Sequence, residues 1–164
     1  MSLSLRDEKT ADREAVAALI SAAFAGRPYA SGTEAAIHAA LLDAGAATVA
    51  LVAEEGGRVI GQGLFSPAWI DGQPSRWHVL GPVAVAPDRQ RGGIGTALVE
   101  AGLARLRDLG SEGCLVVGDG AYYGRFGFRA PERLSLPGHP PEFTFVLPFG
   151  AEPEGRASLH PAFG

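Results

Sequence analysis

The 164-residue sequence contains one cysteine, Cys114. A single thiol cannot close an internal disulfide and cannot by itself build a cysteine-based zinc site. Lysine is equally scarce. With Lys9 the only one, no Gly-Lys-Ser/Thr phosphate loop of the Walker type can form, which excludes ATP or GTP hydrolysis of that kind. The other cations are arginines scattered from Arg6 to Arg156, and 18 acids outnumber 14 bases for a net charge of −4. No polybasic patch results, so nucleic acid is not an expected partner. Long apolar runs are missing too. The longest uncharged one, Ala44 to Ala53, falls far short of the roughly 18 residues that span a bilayer. The first residues carry Asp7 and Glu8 where a signal peptide needs an apolar stretch. A cytoplasmic protein without membrane contact is expected.

Hydrophobic residues make up 46% and charged residues 20%, a mix that supports a globular core and not disorder. The length suits a single domain. We expect it over residues 1–148, with residues 149–164 as a C-terminal tail that docks through Leu159 and Phe163. The 23 glycines and 12 prolines imply many turns, without internal repeats or low-complexity tracts.

Apolar spacing of three and four over Val16, Leu19, Ile20 and Phe24 predicts an amphipathic helix, with Thr10 or Asp12 as N-cap. Thr33-Glu34 opens a second helix with Ile37, Leu41 and Leu42 on one stripe, ended by Gly45. Three strands follow: Thr48 to Ala53, Arg58 to Phe65 across a hairpin turn at Glu55-Gly56-Gly57, and Trp77 to Val85, broken in character by Gly81-Pro82. Ile94 to Leu109 then returns to helical spacing, and the apolar run Cys114 to Val117 reads as a strand covered on both faces. Ala121 to Phe126 reads as a short helix. Phe128 to Leu136 and Glu142 to Leu147 are expected to pair as closing strands.

Between the third strand and its helix lies Gln90-Arg91-Gly92-Gly93-Ile94-Gly95-Thr96. Amide hydrogens at a helix start have no intrahelical acceptor, the helix dipole is positive there, and three glycines let a ligand reach the backbone without meeting a Cβ. Arg89 and Arg91 add charge. A phosphate or pyrophosphate is the expected ligand. A dinucleotide fingerprint is not met, because Leu98 stands where a third small residue belongs.

The stretch Val83 to Leu98 resembles the acetyl-coenzyme-A-binding segment of the GNAT N-acetyltransferase superfamily, whose pattern Gln/Arg-x-x-Gly-x-Gly/Ala is met by Gln90, Gly93 and Gly95. Tyr122-Tyr123-Gly124-Arg125-Phe126-Gly127-Phe128 is similar to the family's later element, and this form resembles a branch of small bacterial acetyltransferases. The order of elements also looks like the GNAT fold, an α/β architecture with a mixed, mostly antiparallel central sheet flanked by helices. The resemblance implies that acetyl-CoA is the co-substrate and a primary amine the acceptor. It implies pyrophosphate bound by Gln90 and the amides of Arg91, Gly92, Gly93, Ile94, Gly95 and Thr96. The pantetheine arm would lie along Val83, Ala84 and Val85 as an added strand. Tyr123 would be the general acid that protonates the departing thiolate, while Tyr122 is assigned to packing.

A general base is harder to place. His78, on the strand leading to the loop, titrates near neutrality and is one candidate. Glu54, Glu55 and Asp119 are others, Asp119 suiting better the N-cap of the helix at Ala121, and water is a further carrier of the proton. The oxyanion donor is expected among backbone amides near Val83. Cys114 has no neighbouring histidine to activate it, so direct transfer is expected over an acyl-cysteine route. The histidines lack metal-ligand spacing, and no metal is expected. The alternative reading is a non-catalytic sensor or partner-binding module that holds CoA or acyl-CoA without turnover. Monomer and homodimer are both left open.

Overall fold

The computed structural model describes residues 2–28 and 30–164. Its elements run β1 (Leu3–Asp7), α1 (Arg13–Phe24), α2 (Glu34–Asp43), β2 (Val49–Glu55), β3 (Arg58–Ile70), β4 (Gln73–Val85), α3 (Ile94–Asp108), β5 (Gly113–Val117), the single turn α4 (Gly120–Tyr123), β6 (Arg133–Ser135), β7 (Thr144–Pro148) and β8 (Glu154–Leu159). The strands form one sheet in the order β1-β2-β3-β4-β5-β7, with β8 on β3 and β6 on β8. Pairing is antiparallel except for β4–β5 and β6–β8. The parallel β4–β5 pair is joined through α3, the crossover that a parallel pair requires. The mixed, mostly antiparallel α/β sheet is therefore the observed architecture.

Helices cover both faces. Val16, Leu19 and Ile20 of α1 pack with Ile60, while α3 covers the other face through Leu98, Leu103 and Leu106. A Cβ on Gly102 would lie 2.0 Å from the Phe65 ring, so glycine there lets α3 sit close against a fully buried phenylalanine. Among the described residues, no helix is long and apolar enough to cross a membrane.

The N-terminal residues form an edge strand that the hydrophobic pattern did not reveal. Leu3 and Leu5 are exposed, so β1 is held by its backbone ladder to β2 and by ion pairs more than by burial. Asp12 does not cap α1. It takes both guanidinium nitrogens of Arg6 at 2.8 and 2.9 Å and the Lys9 amide at 2.7 Å, and the Arg6 contact holds its carboxyl down at about 2. In α2 the buried positions are His38 and Leu41; His38 Nε2 lies 2.8 Å from Glu8 Oε1, tying α2 to the end of β1.

The closing strands also differ from expectation. Arg129 and Val146 make only an isolated bridge, while β7 pairs along β5 and β6 pairs with β8. Thirteen-residue β3 outruns β2, leaving Ala68–Ile70 with an open edge. Ala157–Leu159 fills it. Residues 154–159, expected to belong to a docked tail, are thus a strand of the sheet, and Ala157 is buried in its second apolar cluster.

Candidate active site

The site begins where two neighbouring strands part. The ladder between β4 and β5 runs from Trp77/Gly113 to Leu80/Val116 and stops. Just beyond, Gly81 and Pro82 together oppose Leu64 of β3, since Gly63 pairs with Val83 and Phe65 with Leu80. This is a β-bulge, and Gly81 has φ +153°, a conformation open to glycine at little cost. Proline is tolerated because a bulge demands no ladder donor of it. The bend directs the end of β4 away from β5 and opens a fork.

Backbone parity shows what faces the fork. Ala86 N donates to Ile60 O at 2.8 Å. In an antiparallel ladder both backbone groups of a residue point the same way and successive residues alternate. Ala84 and Ala86 therefore address β3, and Val83 and Val85 address the fork. Gln90 Nε2 meets Val85 O at 3.1 Å, consistent with this. Ala84, expected along the pantetheine arm, turns its backbone to β3 and is 2% exposed in side chain and backbone together, so it offers the fork no group.

Above the fork is the glycine loop. Arg91 adopts φ +67° and Gly93 φ +83°, turning the chain sharply into α3. Ala97 N, bonded to Gly93 O at 3.0 Å, is the first amide of α3 with a helical acceptor, which leaves the preceding amides at the positive end of a 15-residue helix. The side chain of Gln90 is occupied: besides Val85 O, its Oε1 accepts from Arg27 Nη2 at 2.8 Å. It laces the loop to β4 and to the segment after α1. Arg89 is occupied as well. Its guanidinium takes both oxygens of Glu55, Nη2–Oε2 at 3.0 Å, so its charge is compensated and Arg91, exposed and without a carboxylate partner among the described residues, is the arginine left for an anion.

The other arm of the fork carries the tyrosines. Directly after β5, Asp119 caps α4 by accepting Ala121 N at 2.9 Å, and one helical turn presents Tyr122 and Tyr123. The Tyr123 ring lies on Gly118, with Phe128 edge-on at 5.8 Å. Tyr122 does more than pack. Its hydroxyl is 3.3 Å from Thr96 Oγ1 on the first turn of α3 and stands over Gly95, while Arg125 stacks on its ring at 4.4 Å. Sequence reasoning missed this pair; the signal was an arginine three residues after a tyrosine, the spacing that brings both to one face of a helical turn.

His78 is not brought to the fork. It pairs with Cys114 and Pro67 inside the ladder, three residues before Gly81, which is about 10 Å of strand. Its Nδ1 lies 2.8 Å from Ser111 Oγ, and burial pushes its pKa below the ordinary histidine value. Of the carboxylates, Glu55 is held below the usual range by Arg89 and Glu54 accepts from Arg6 Nε at 3.3 Å. Cys114 is fully buried, which pushes its thiol pKa up and makes it a poor nucleophile.

An amide-lined helix start beside a strand fork is set up to hold a diphosphate and an extended arm. The profile of the acetyltransferase (GNAT) family matches residues 13–128. The chain belongs to the GNAT family. Within it, the chain is 36% identical over 103 residues to the uncharacterized N-acetyltransferase YhbS of Escherichia coli K12, a match spanning 62% of each protein. A GNAT family acetyltransferase from Brucella melitensis, crystallised with acetyl-CoA, superposes with TM-score 0.90 at 40% identity and covers 99% of both chains. Escherichia coli YhbS in complex with CoA superposes with TM-score 0.87 at 29% identity, over 98% of this chain and 91% of that one. The GNAT match runs from the start of α1 to the end of the Tyr-Tyr element, and so takes in the loop, the fork and both tyrosines.

Proposed function

We propose that the protein transfers an acetyl group from acetyl-CoA to a primary amine by direct attack, with Tyr123 as general acid. The observation that carries this reading is the fork itself: helix-start amides without a helical acceptor among the described residues, strand groups at Val83 and Val85, and a tyrosine on the opposite arm. Acetyl-CoA and CoA in the two superposed relatives support the choice of co-substrate.

In this mechanism the diphosphate rests on the amides of the loop, with Arg91 adding charge. The pantetheine arm lies along Val83 and Val85 as an added strand. The neutral amine attacks the thioester carbon, a C–N bond forms, and charge gathering on the carbonyl oxygen is met by the Val83 N–H. The C–S bond then breaks, Tyr123 gives its proton to the sulfur, and the amine loses a proton to water. With Glu54, Glu55 and Asp119 each engaged elsewhere, no side chain is assigned as base.

Calorimetric titration with acetyl-CoA followed by thiol release across a panel of amines tests this. Binding with turnover supports the proposal, binding without thiol release across the panel supports the sensor reading, and no binding removes both. Tyr123→Phe is expected to leave cofactor affinity within a few-fold and to lower turnover about 10²-fold. Equal turnover in the variant removes Tyr123 from the chemistry.

A further inference from the structure

Gln62, on β3, is fully buried, and its Nε2 donates to Pro82 O at 2.9 Å across 20 residues of sequence. Among the described residues none donates to its Oε1. A buried glutamine with half its amide unmet is a poor choice for stability alone, since an aliphatic side chain of similar volume fills the same space without stranding an acceptor. What it holds is informative. At the bulge that sets Gly81 and Pro82 against Leu64, Gln62 gives the Pro82 carbonyl, which faces β3, a donor from its side chain.

The C=O and N–H of one peptide point in opposite directions. The Pro82–Val83 peptide has its carbonyl fixed by Gln62, so its other end, the Val83 N–H, is aimed into the fork, where the β4–β5 ladder has already ended. We infer that Gln62 is a positioning residue: through the Pro82 carbonyl it orients the Val83 amide as the donor to the thioester oxygen. The inference rests on the acetyl-transfer reading above. It also accounts for the direction of the side chain, because a flipped amide would place two acceptor oxygens against each other. A fixed dipole aimed at the site of developing charge needs no reorganisation during reaction, which a peptide at a loose bulge would not provide.

The test is infrared difference spectroscopy of bound acetyl-CoA carrying 13C at the acetyl carbonyl, with turnover measured beside it. Wild type is expected to lower the carbonyl stretch relative to the free thioester. Gln62→Met, close in volume and without a donor, is expected to lose most of that lowering, to reduce kcat about 10- to 100-fold, and to keep the Kd for CoA within about threefold. Gln62→Asn, one methylene too short to span the contact, is expected to lose the lowering as well. A carbonyl frequency unchanged from wild type, in whichever of the two variants folds, overturns the inference and leaves the acetyl-transfer reading standing. A wild type that binds no acetyl-CoA overturns both.

Discussion

Replacing Gly118 by alanine should move the proposed acid without removing it. A Cβ on Gly118 would lie 2.7 Å from Cε2 and 3.3 Å from Cδ2 of Tyr123. Carbon atoms in comfortable contact are about 3.5–4.0 Å apart, so the near edge of the ring must withdraw by roughly 1 Å. It has little room behind it, since Tyr122 stands edge-on at 5.0 Å and Phe128 at 5.8 Å. The displacement therefore passes along the ring to the hydroxyl. Proton transfer needs the donor within about 2.6–3.2 Å of its acceptor, and a misplacement of about 1 Å can cost on the order of 10²-fold. We expect Gly118→Ala to lower thiol release by about 10- to 100-fold with the best amine of the panel, at a stability cost of about 1–3 kcal/mol from overpacking, while calorimetry finds acetyl-CoA affinity nearly unchanged. The double variant with Tyr123→Phe decides the cause. If Gly118 acts through Tyr123, the double variant turns over no more slowly than Tyr123→Phe alone. Multiplicative losses would refute the reasoning.

Two further predictions concern charge. Arg91→Ala should weaken acetyl-CoA binding several-fold, on the order of 1 kcal/mol, and flatten its salt dependence, whereas Arg89→Ala should change the Kd by less than about twofold because Glu55 already takes that guanidinium; calorimetry at low and high salt checks both, and equal losses would contradict the assignment. Asp12 has a folded-state pKa of about 2 against an ordinary 3.8, so its contribution is complete above about pH 4 and disappears as pH falls through 2. Urea midpoints should therefore show Asp12→Asn less stable than wild type by about 1 kcal/mol near neutrality, after allowance for the part-exposed Arg6. That gap should close between pH 4 and 2, and one that stays constant to pH 2 would count against the Arg6 contact.

The parts of the fold that were legible in the sequence are those whose signal is local. α1, α3 and the β2–β3 hairpin follow from apolar spacing and a Gly-Gly turn, and the chain forms them close to the expected limits. The parts that were not legible depend on which edge is free. β1 exposes Leu3 and Leu5, so period-two burial, the usual mark of a strand, is nearly absent. β8 exists because β3 extends past β2, a length relation between two strands that no window of sequence displays. The expected β6–β7 pairing fails for a related reason. β7 gives one edge to the five-residue ladder with β5 and on its other edge holds only the bridge to Arg129, because Arg133–Ser135 pairs with β8, the strand drawn in by the overhang of β3.

The site divides along the same line. Its backbone groups announce themselves because an amide that must be approached closely requires missing side chains, and missing side chains are visible as glycine. Its side-chain contacts are long-range and silent: nothing in the text of the sequence separates Arg89 from Arg91, yet Glu55, 34 residues away, neutralises one and leaves the other. His78 illustrates the opposite error. Its chemistry suits a base, but three residues of strand register place it inside the ladder and not at the fork, and chemical type alone cannot measure that distance. Gln62 went unremarked because a glutamine in a strand pattern is unexceptional until the bulge opposite it is known. If the oxyanion donor is a peptide group, its orientation must be enforced by whatever bonds the other end of that peptide. The residues that tune such a site are then found by tracing carbonyls backward from the fork, and that search leads into the core under α1, away from the surface where titratable side chains are usually sought.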